Sequence, residues 1–303
     1  MMGSRPQGTV RIRRLCVAAG VSPASYYRHW HGSAPREADT TTRAEIQKIA
    51  LGERTYRGYR YVQGELARHG IIIGTKRIRR LMQEDNLFAL RRRPFVPVTT
   101  DSRHSWRIVP NLARGLILTD LDQLWVADIT YIRLREEFVY LAIVLDAFSR
   151  RAIGWALAEH LEASLAVEAL EMAIAARQPA PGSLIHHSDR GVQYACAAYA
   201  DILVAHDIRP SMSRVGNPYD NAKAERFMRI LKAEEVYLSD YRDSEEARHS
   251  IGVFIEHIYN ETRLHSALGY RPPAEFEAIH RAAREPARCL EADMASEENS
   301  PHA

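Results

Sequence analysis

The sequence predicts an α/β fold, a mixed sheet flanked by helices, preceded by a small all-helical region of helix-turn-helix type. Three observations carry this. Before residue 121 apolar residues recur at helical spacing between turns, whereas after it they form runs of strand length. The later runs follow the order βββαβαβα, which gives a mixed sheet with helices packed on it. The third is the charge distribution. The 303 residues carry a net charge of +3, but residues 1–120 hold 22 basic and 9 acidic side chains (+13) and residues 121–303 hold 19 and 29 (−10). A basic part that faces a polyanion is thus joined to a part with different work.

Composition excludes several classes. At 46% hydrophobic the chain has ample material for a core, so a disordered or fibrous protein is ruled out. Cys16, Cys196 and Cys289 are too scattered for a disulfide framework, and no CxxC pair exists to hold zinc. A reducing, cytosolic setting is expected. The basic start MMGSRPQGTVRIRRL has no apolar segment behind it, and no run of 18 apolar residues occurs, so neither secretion nor membrane spanning is expected.

Residues 1–90 read as the helical region. In VRIRRLCVAAGVSPASYYRHW, Ile12, Leu15 and Ala19 share a stripe, Gly20 suits a C-cap and Ser22-Pro23 can open a second helix. A second unit is GYRYVQGELARHG followed by Thr75 as N-cap to KRIRRLMQEDNL. There Ile78, Leu81 and Met82 face inward while Lys76, Arg77, Arg79 and Arg80 face out, either as a solvated face or to neutralise phosphates. Residues 91–120 read as an extended, basic, proline-containing linker. Residues 121–240 hold the sheet: strands in LWVADITYIRL, VYLAIVLDAFS and RAIGWALAE, a helix N-capped by Ser164, strand LIHHSD, helix YACAAYADILVAHD, strand IRPSMS, and a long helix after the GNPYDN turn. Residues 241–290 add helices over 244–261 and 272–288, and 291–303 form an acidic tail expected to be disordered.

Three carboxylates demand an explanation, because buried or strand-end acids are costly unless paired, hydrogen-bonded or bound to a cation. Asp128 interrupts an apolar strand on the face of Val126 and Ile132. Asp189 ends the strand LIHHSD, where α/β sheets place ligands. Glu225 lies on NAKAERFMRILKAEEV opposite the core stripe Ala224, Phe227 and Leu231, sharing its face with Asn221, Arg229 and Lys232. Singly, each has a plain account as a turn cap, an arginine partner or a surface charge. Together, two aspartates and a glutamate from separate elements suit hard divalent cations that clamp the attacking and leaving oxygens of a phosphoryl displacement.

The segments WVADITYI, VYLAIVLDAFSRRAIGW, HHSDRGVQY, GNPYDNAKAERFMRILKAE and YNETRLHSALGYRPPAEF together resemble the OrfB-type transposases of the IS-three family of insertion sequences, integrase relatives with an RNase H-like core. Between Asp189 and Glu225 lie 35 residues, the spacing of that family's Asp-Asp-Glu signature. The resemblance spans about residues 55–280. It implies that Asp128, Asp189 and Glu225 are catalytic ligands of two Mg²⁺ or Mn²⁺ ions that serve DNA strand cleavage and strand transfer. It implies further that Lys232 and Arg229 hold phosphate, that Asn221 supports the site or contacts DNA, and that Arg263 and His265 of the Tyr259–His265 motif line the DNA channel. Partners would be double-stranded DNA, both element ends and target, with further copies of the chain on DNA and a protein or fusion partner from an upstream frame. The setting would be the bacterial cytoplasm and nucleoid.

Rival acids and histidines have other readings. Asp146 is expected to bond the neighbouring turn, or Arg150 or Arg151, and Asp220 to cap the long helix. Alternation lets only one of His186 and His187 point into the site, and core packing competes with a phosphate contact. The alternatives to a transposase are a non-catalytic DNA-binding regulator derived from such an element and an RNase H-like nuclease. A glycosidase leaves both the basic half and the 35-residue gap unexplained.

Overall fold

The computed structural model describes residues 16–17, 20–24, 37–50, 58–87, 109–214 and 221–284. The rest of the first helix-turn-helix unit, residues 91–108 of the linker, the 215–220 turn with Asp220 and the acidic tail lie outside these. Within the first unit, Gly20 has φ +65° and the Val21 N–H bonds Cys16 O at 2.9 Å, the C-cap geometry expected there.

Helices α1 (Glu37–Ala50), α2 (Tyr59–Arg68) and α3 (Thr75–Glu84) close around Ile46, Val62, Leu66, Ile78, Leu81 and Met82. The expected stripe of α3 is the one buried. Its N-cap, however, is Gly74, and Thr75 is the first helical residue, its hydroxyl donating to Gln63 Oε1 at 3.1 Å. The bundle rests on the C-terminal part of the chain. A Cβ on Gly64 of α2 would stand 2.6 Å from the Tyr270 ring, and Arg68 pairs with Glu275 at 2.8 Å.

The sheet is five-stranded, in the order β3-β2-β1-β4-β5, from β1 (Leu124–Arg133), β2 (Phe138–Asp146), β3 (Ala152–Ala158), β4 (Ile185–Ser188) and β5 (Arg209–Met212). β1–β2 and β2–β3 are antiparallel, while β1–β4 and β4–β5 are parallel. All five strands fall where the apolar runs place them, and β2, nearly all apolar, is buried on both faces.

Alternation divides the core. Trp125, Ala127, Ala142 and Val144 pack against α4 (Ala163–Arg177) and α6 (Ala197–Ala205). Val126, Ile132, Leu141, Ile143 and Leu145 pack against α7 (Ala222–Glu234), α8 (Ser244–Val253) and the π-helical turn Phe254–Thr262. Residues beyond 240 therefore belong to the same core as the sheet. A terminal helix over 273–284 opens on Pro273, whose fixed φ suits a first helical position.

Three expected details differ. Glu162, not Ser164, occupies the N-cap of α4. The single helix expected at 194–207 is divided by the extended backbone of Cys196 (ψ 158°) into α5 (Val192–Ala195) and α6. The helix expected over 244–261 widens into π geometry, and that stretch buries Phe254, Ile255, Tyr259 and Asn260.

The contact between α4 and β3 is the tightest constraint on this sandwich. A Cβ at Gly154 would lie 2.1 Å from Ala169 O and 2.9 Å from Ala173 Cβ, so helix backbone and strand touch directly. Gly154→Ala should destabilise the chain by about 1–3 kcal/mol through overpacking. That lowers the midpoint of thermal unfolding by about 2–4 °C per kcal/mol, measured by circular dichroism. An unchanged midpoint would show that α4 shifts freely away from the sheet.

Candidate active site

Parallel pairing brings two of the three acids together. Val126 of β1 is in register with His187 of β4, and two residues beyond each stand Asp128 and Asp189. β4 ends at Ser188, and the Asp189 carboxylate accepts the Gly191 N–H at 2.9 Å, turning the chain away from the sheet. Asp128 lies on the face of Val126, the face that α7 covers. Glu225 enters on the first turn of α7, whose start is tied to β1 because the Asn221 amide donates to Ala127 O at 2.8 Å. Asn221 is buried, and its Oδ1 has no partner among the described residues. It thus sits beneath the site, one residue from Asp128.

The electrostatics are those of acids crowded together. Burial pushes the Asp128 carboxyl from 3.8 up to about 8, assisted by Asp189 and Glu225 and opposed by the Ile129 N–H and Lys232. Burial also raises Glu225, with Arg229 working the other way. Lys232 is lowered by burial, Asp128 acting against that, and its Nζ lies 4.4 Å from the Tyr131 ring centre. Arg229 is exposed.

An all-oxygen donor set of this kind fits a hard divalent cation better than zinc or copper. Among the described residues no three His, Cys, Asp or Glu side chains converge into a cage of their own. The fit is to an ion that keeps several waters and takes substrate phosphate oxygens to complete its shell, as Mg²⁺ does.

Several expected site residues serve the fold. Arg263 grips Glu234 at the end of α7 through Nε (3.0 Å) and Nη2 (2.6 Å). His265 is buried edge-on against Tyr259, with ring centres 5.0 Å apart, and burial lowers its pKa to about 3. Both side chains, expected to line a DNA channel, are directed into the protein. On α3, Arg77 (2.8 Å) and Arg80 (2.9 Å) reach the buried Asp39, and Arg79 lies 5.3 Å from the Tyr59 ring centre. Arg77, Arg80 and the wholly external Lys76 are exposed. Asp146 bonds the turn, as expected: it accepts the N–H groups of Ser149 (2.7 Å), Phe148 (2.9 Å) and Asp122 (2.7 Å). Both histidines are core residues. His187 lies between the hydroxyls of Ser211 and Ser213, and His186 bonds the Tyr199 hydroxyl at 3.0 Å.

Sequence reasoning missed the roles of two residues, Asn260 within the Tyr259–His265 motif and Glu277 outside any motif. Asn260 accepts the Ala152 N–H and donates to Ala152 O, each at 2.9 Å, acting as an added strand edge for β3. Glu277, only 2% exposed, receives Ser149, Arg151 and Arg177. These partners lie 100 or more residues away, beyond the reach of local pattern.

Comparison with known proteins places the chain among families and relatives. The Integrase core domain family matches residues 120–218, a second family of the same description matches 206–273, and the HTH-like domain family matches 37–95. The "Insertion element IS600 uncharacterized 31 kDa protein" of Shigella sonnei is 38% identical over 274 residues, covering 89% of this chain and all of that one (100%). "Transposase InsF for insertion sequence IS3A" of Escherichia coli strain K12 is 32% identical over 280 residues, covering 89% and 95%. Among solved structures, the HTLV-2 integrase catalytic core domain in complex with magnesium aligns at 14% identity and TM-score 0.40, over 52% of this chain and 95% of that one.

The Asp128 shift fixes how the metal-free chain responds to pH. Its folded pKa, about 8, lies above the ordinary carboxylate value, so the protonated form favours folding. That contribution is complete below the unfolded pKa and is lost as pH rises through about 8. Unfolding monitored in EDTA should show the midpoint falling between pH 5 and 9. Asp128→Asn should fall less and melt above the wild type at pH 9. Mg²⁺ should raise the wild type at pH 9 and the variant little. Equal pH profiles would mean that Asp128 is not buried beside other acids.

Proposed function

The chain belongs to the IS3-family transposases, and on that premise we propose that Asp128, Asp189 and Glu225 form the centre at which it cleaves DNA strands at the element ends and transfers them to target. DNA transposition is the activity of the family, and its integrase core makes it a polynucleotidyl transferase. The observation that carries the site assignment is the half-buried Asp128 carboxylate, held at the end of a parallel strand pair where burial first, and Asp189 and Glu225 after it, raise its pKa.

Two Mg²⁺ or Mn²⁺ ions bound by Asp128, Asp189 and Glu225 would supply Lewis-acid activation of the attacking oxygen and stabilise charge on the leaving oxygen. The chain's own residues do the positioning. The central strand fixes Asp128, and Asn221 sets where α7 begins and hence where Glu225 stands. Lys232, shielded by Tyr131, is a cation placed to donate to a phosphate oxygen beside Asp128, and exposed Arg229 extends the same face of α7. Lys76, Arg77, Arg79 and Arg80 present a basic face of α3 to the DNA backbone. Arg77 and Arg80 reach it from an Asp39 anchor that limits their rotamers. Arg263 and His265 act by holding α7 rather than by touching DNA.

Because strand transfer joins paired ends to a target, we assign the active form to at least two copies of the chain on duplex DNA in the bacterial nucleoid, with an upstream-frame protein aiding end recognition. The unit to about residue 90, the linker to 120, the core to 240 and the extension to 290 then divide into gripping DNA, spanning to the core, and catalysis braced by the extension.

Asp128→Ala, Asp189→Ala and Glu225→Gln should each reduce strand transfer on duplexes carrying the inverted repeats that flank the coding region by at least about a hundredfold. Each should still fold. Activity retained by any one of them removes that residue from the set. Light scattering with paired-end DNA should give a mass of at least two protomers, and one protomer per end pair would refute assembly.

A further inference from the structure

At the end of α7 remote from Glu225 lies a cavity of about 530 Å³ whose walls, Lys232 and Tyr131 apart, the catalytic reading does not use. Tyr131 and Arg133 from β1, Phe138 from β2, and Lys232, Val236 and Tyr237 from α7 and the 3₁₀ turn Val236–Leu238 line it. The exposed pair Arg135–Asp240, 3.0 Å apart, stands at its margin. Its volume falls within the range of about 300–1,000 Å³ usual for small-molecule sites. Its walls combine three aromatic rings with cations. Tyr131 meets Phe138 edge-on at 5.8 Å, and Phe138 is 50% exposed, unusual for a phenylalanine at the start of a core strand. The one carboxylate, Asp240, already faces Arg135, so Arg133 and Lys232 leave the cavity net positive.

Aromatic faces beside phosphate-binding cations are the chemistry of single-stranded nucleic acid, in which bases stack on rings while lysine and arginine follow the backbone. Lys232 joins the two sites, since it packs on Tyr131 within this cavity and interacts electrostatically with Asp128 outside it. A strand whose phosphate meets Lys232 therefore has a neighbouring nucleoside at the cavity mouth. A base still stacked in duplex cannot enter, so the base received must be unpaired.

We propose that this cavity binds one unstacked nucleobase of the DNA strand held at Lys232, with Phe138 and Tyr237 as its stacking surfaces. This rests on the reading of the carboxylate site as a DNA-processing centre and deepens it. The base would fix the register of the strand against Asp128, so melting of the terminal base pairs becomes part of substrate recognition rather than a by-product of it.

The test is fluorescence anisotropy of the full chain in EDTA with three probes: a blunt 20-bp duplex, the same duplex with a three-thymidine single-stranded extension, and the same duplex with three abasic nucleotides. The last two carry equal phosphate charge. The thymidine extension should bind about tenfold more tightly than the abasic one, in line with the strength of base–aromatic stacking. Phe138→Ala, at an exposed position, should fold and reduce the ratio to less than twofold. Tyr237→Ala should do the same and Tyr237→Phe should restore it. Lys232→Ala should weaken both extended probes alike. Equal binding of the two extensions by the wild type overturns the proposal, as does a ratio that survives both alanine variants. No metal or cleavage enters the measurement. A chain with the base preference but no strand transfer would keep the cavity and lose the catalytic reading, and the reverse result would do the opposite.

Discussion

Placing an ionisable carboxylate in the middle strand of a sheet, opposite two others, is the constraint to which the rest of this structure responds. Asp128 stands among Val126, Ile132 and Ile143, and it bears the cost of burial as well as repulsion from Asp189 and Glu225. Such a group weakens the fold whenever it is ionised without a counter-charge. Stability must come from elsewhere, and it does. β2 is apolar on both faces, and α4 is seated on β3 without intervening side chains at Gly154. The site tolerates its own strain because the sheet beneath it is overdetermined.

Glu225 poses a different problem, because it arrives on a helix rather than on the sheet. α7 could relieve the repulsion by sliding away, and four attachments oppose that. At its start Asn221 bonds β1, one residue before Asp128. In its middle Phe227 packs against Tyr259, with ring centres 4.7 Å apart. At its end Glu234 is chelated by Arg263. Asn260, adjacent to Tyr259, bonds both backbone groups of Ala152 and so ties this bracing segment to the edge of the sheet. The π geometry of Phe254–Thr262 accompanies the burial of both Tyr259 and Asn260. The polar motif from Tyr259 to His265 is thereby explained as a brace that fixes where Glu225 stands.

The fold was legible because its signals are local. Strand-length apolar runs, their order and the inward stripe of α3 all follow from periodicity, and each run became a strand of the sheet. The acids were legible for the same reason: Asp128 breaks an apolar run and Asp189 closes one. Legibility failed where the deciding partner is remote. Arg263 and His265 read as DNA contacts because the family resemblance sets their motif along a DNA channel, yet Glu234 and Tyr259 occupy them. The Asp39 anchor of the exposed Arg77 and Arg80 was hidden for the same reason, since helical spacing cannot reveal an acid on a neighbouring helix. The break at Cys196 and the π turn escaped as well, since a propensity reading has no term for the tertiary packing around them.

Satisfaction of hydrogen bonds separates Asp128, an acid proposed to hold metal, from structural acids more sharply than burial does. Asp146 and Glu277 are less accessible than Asp128, yet neither is free to act. Asp146 accepts from three backbone N–H groups and the Ser149 hydroxyl, and Glu277 is enclosed by Arg151, Arg177 and Ser149. Burial still raises the Asp146 carboxyl against its donors, while at Glu277 burial is outweighed by the Arg177 bond and charge, which lower it, but in both groups the donors take up the acceptor capacity and make them parts of the scaffold. Asp128 takes one hydrogen bond among the described residues, from the Ile129 N–H, and the charges acting on it are the acids Asp189 and Glu225 with Lys232 opposing them. Its remaining acceptor capacity faces like charge that Lys232 offsets only in part, an arrangement that a proton or a further cation can relieve. The same test applied to the sequence alone would have failed, because Asp146 and Asp128 both interrupt apolar strands and only the donors around them differ.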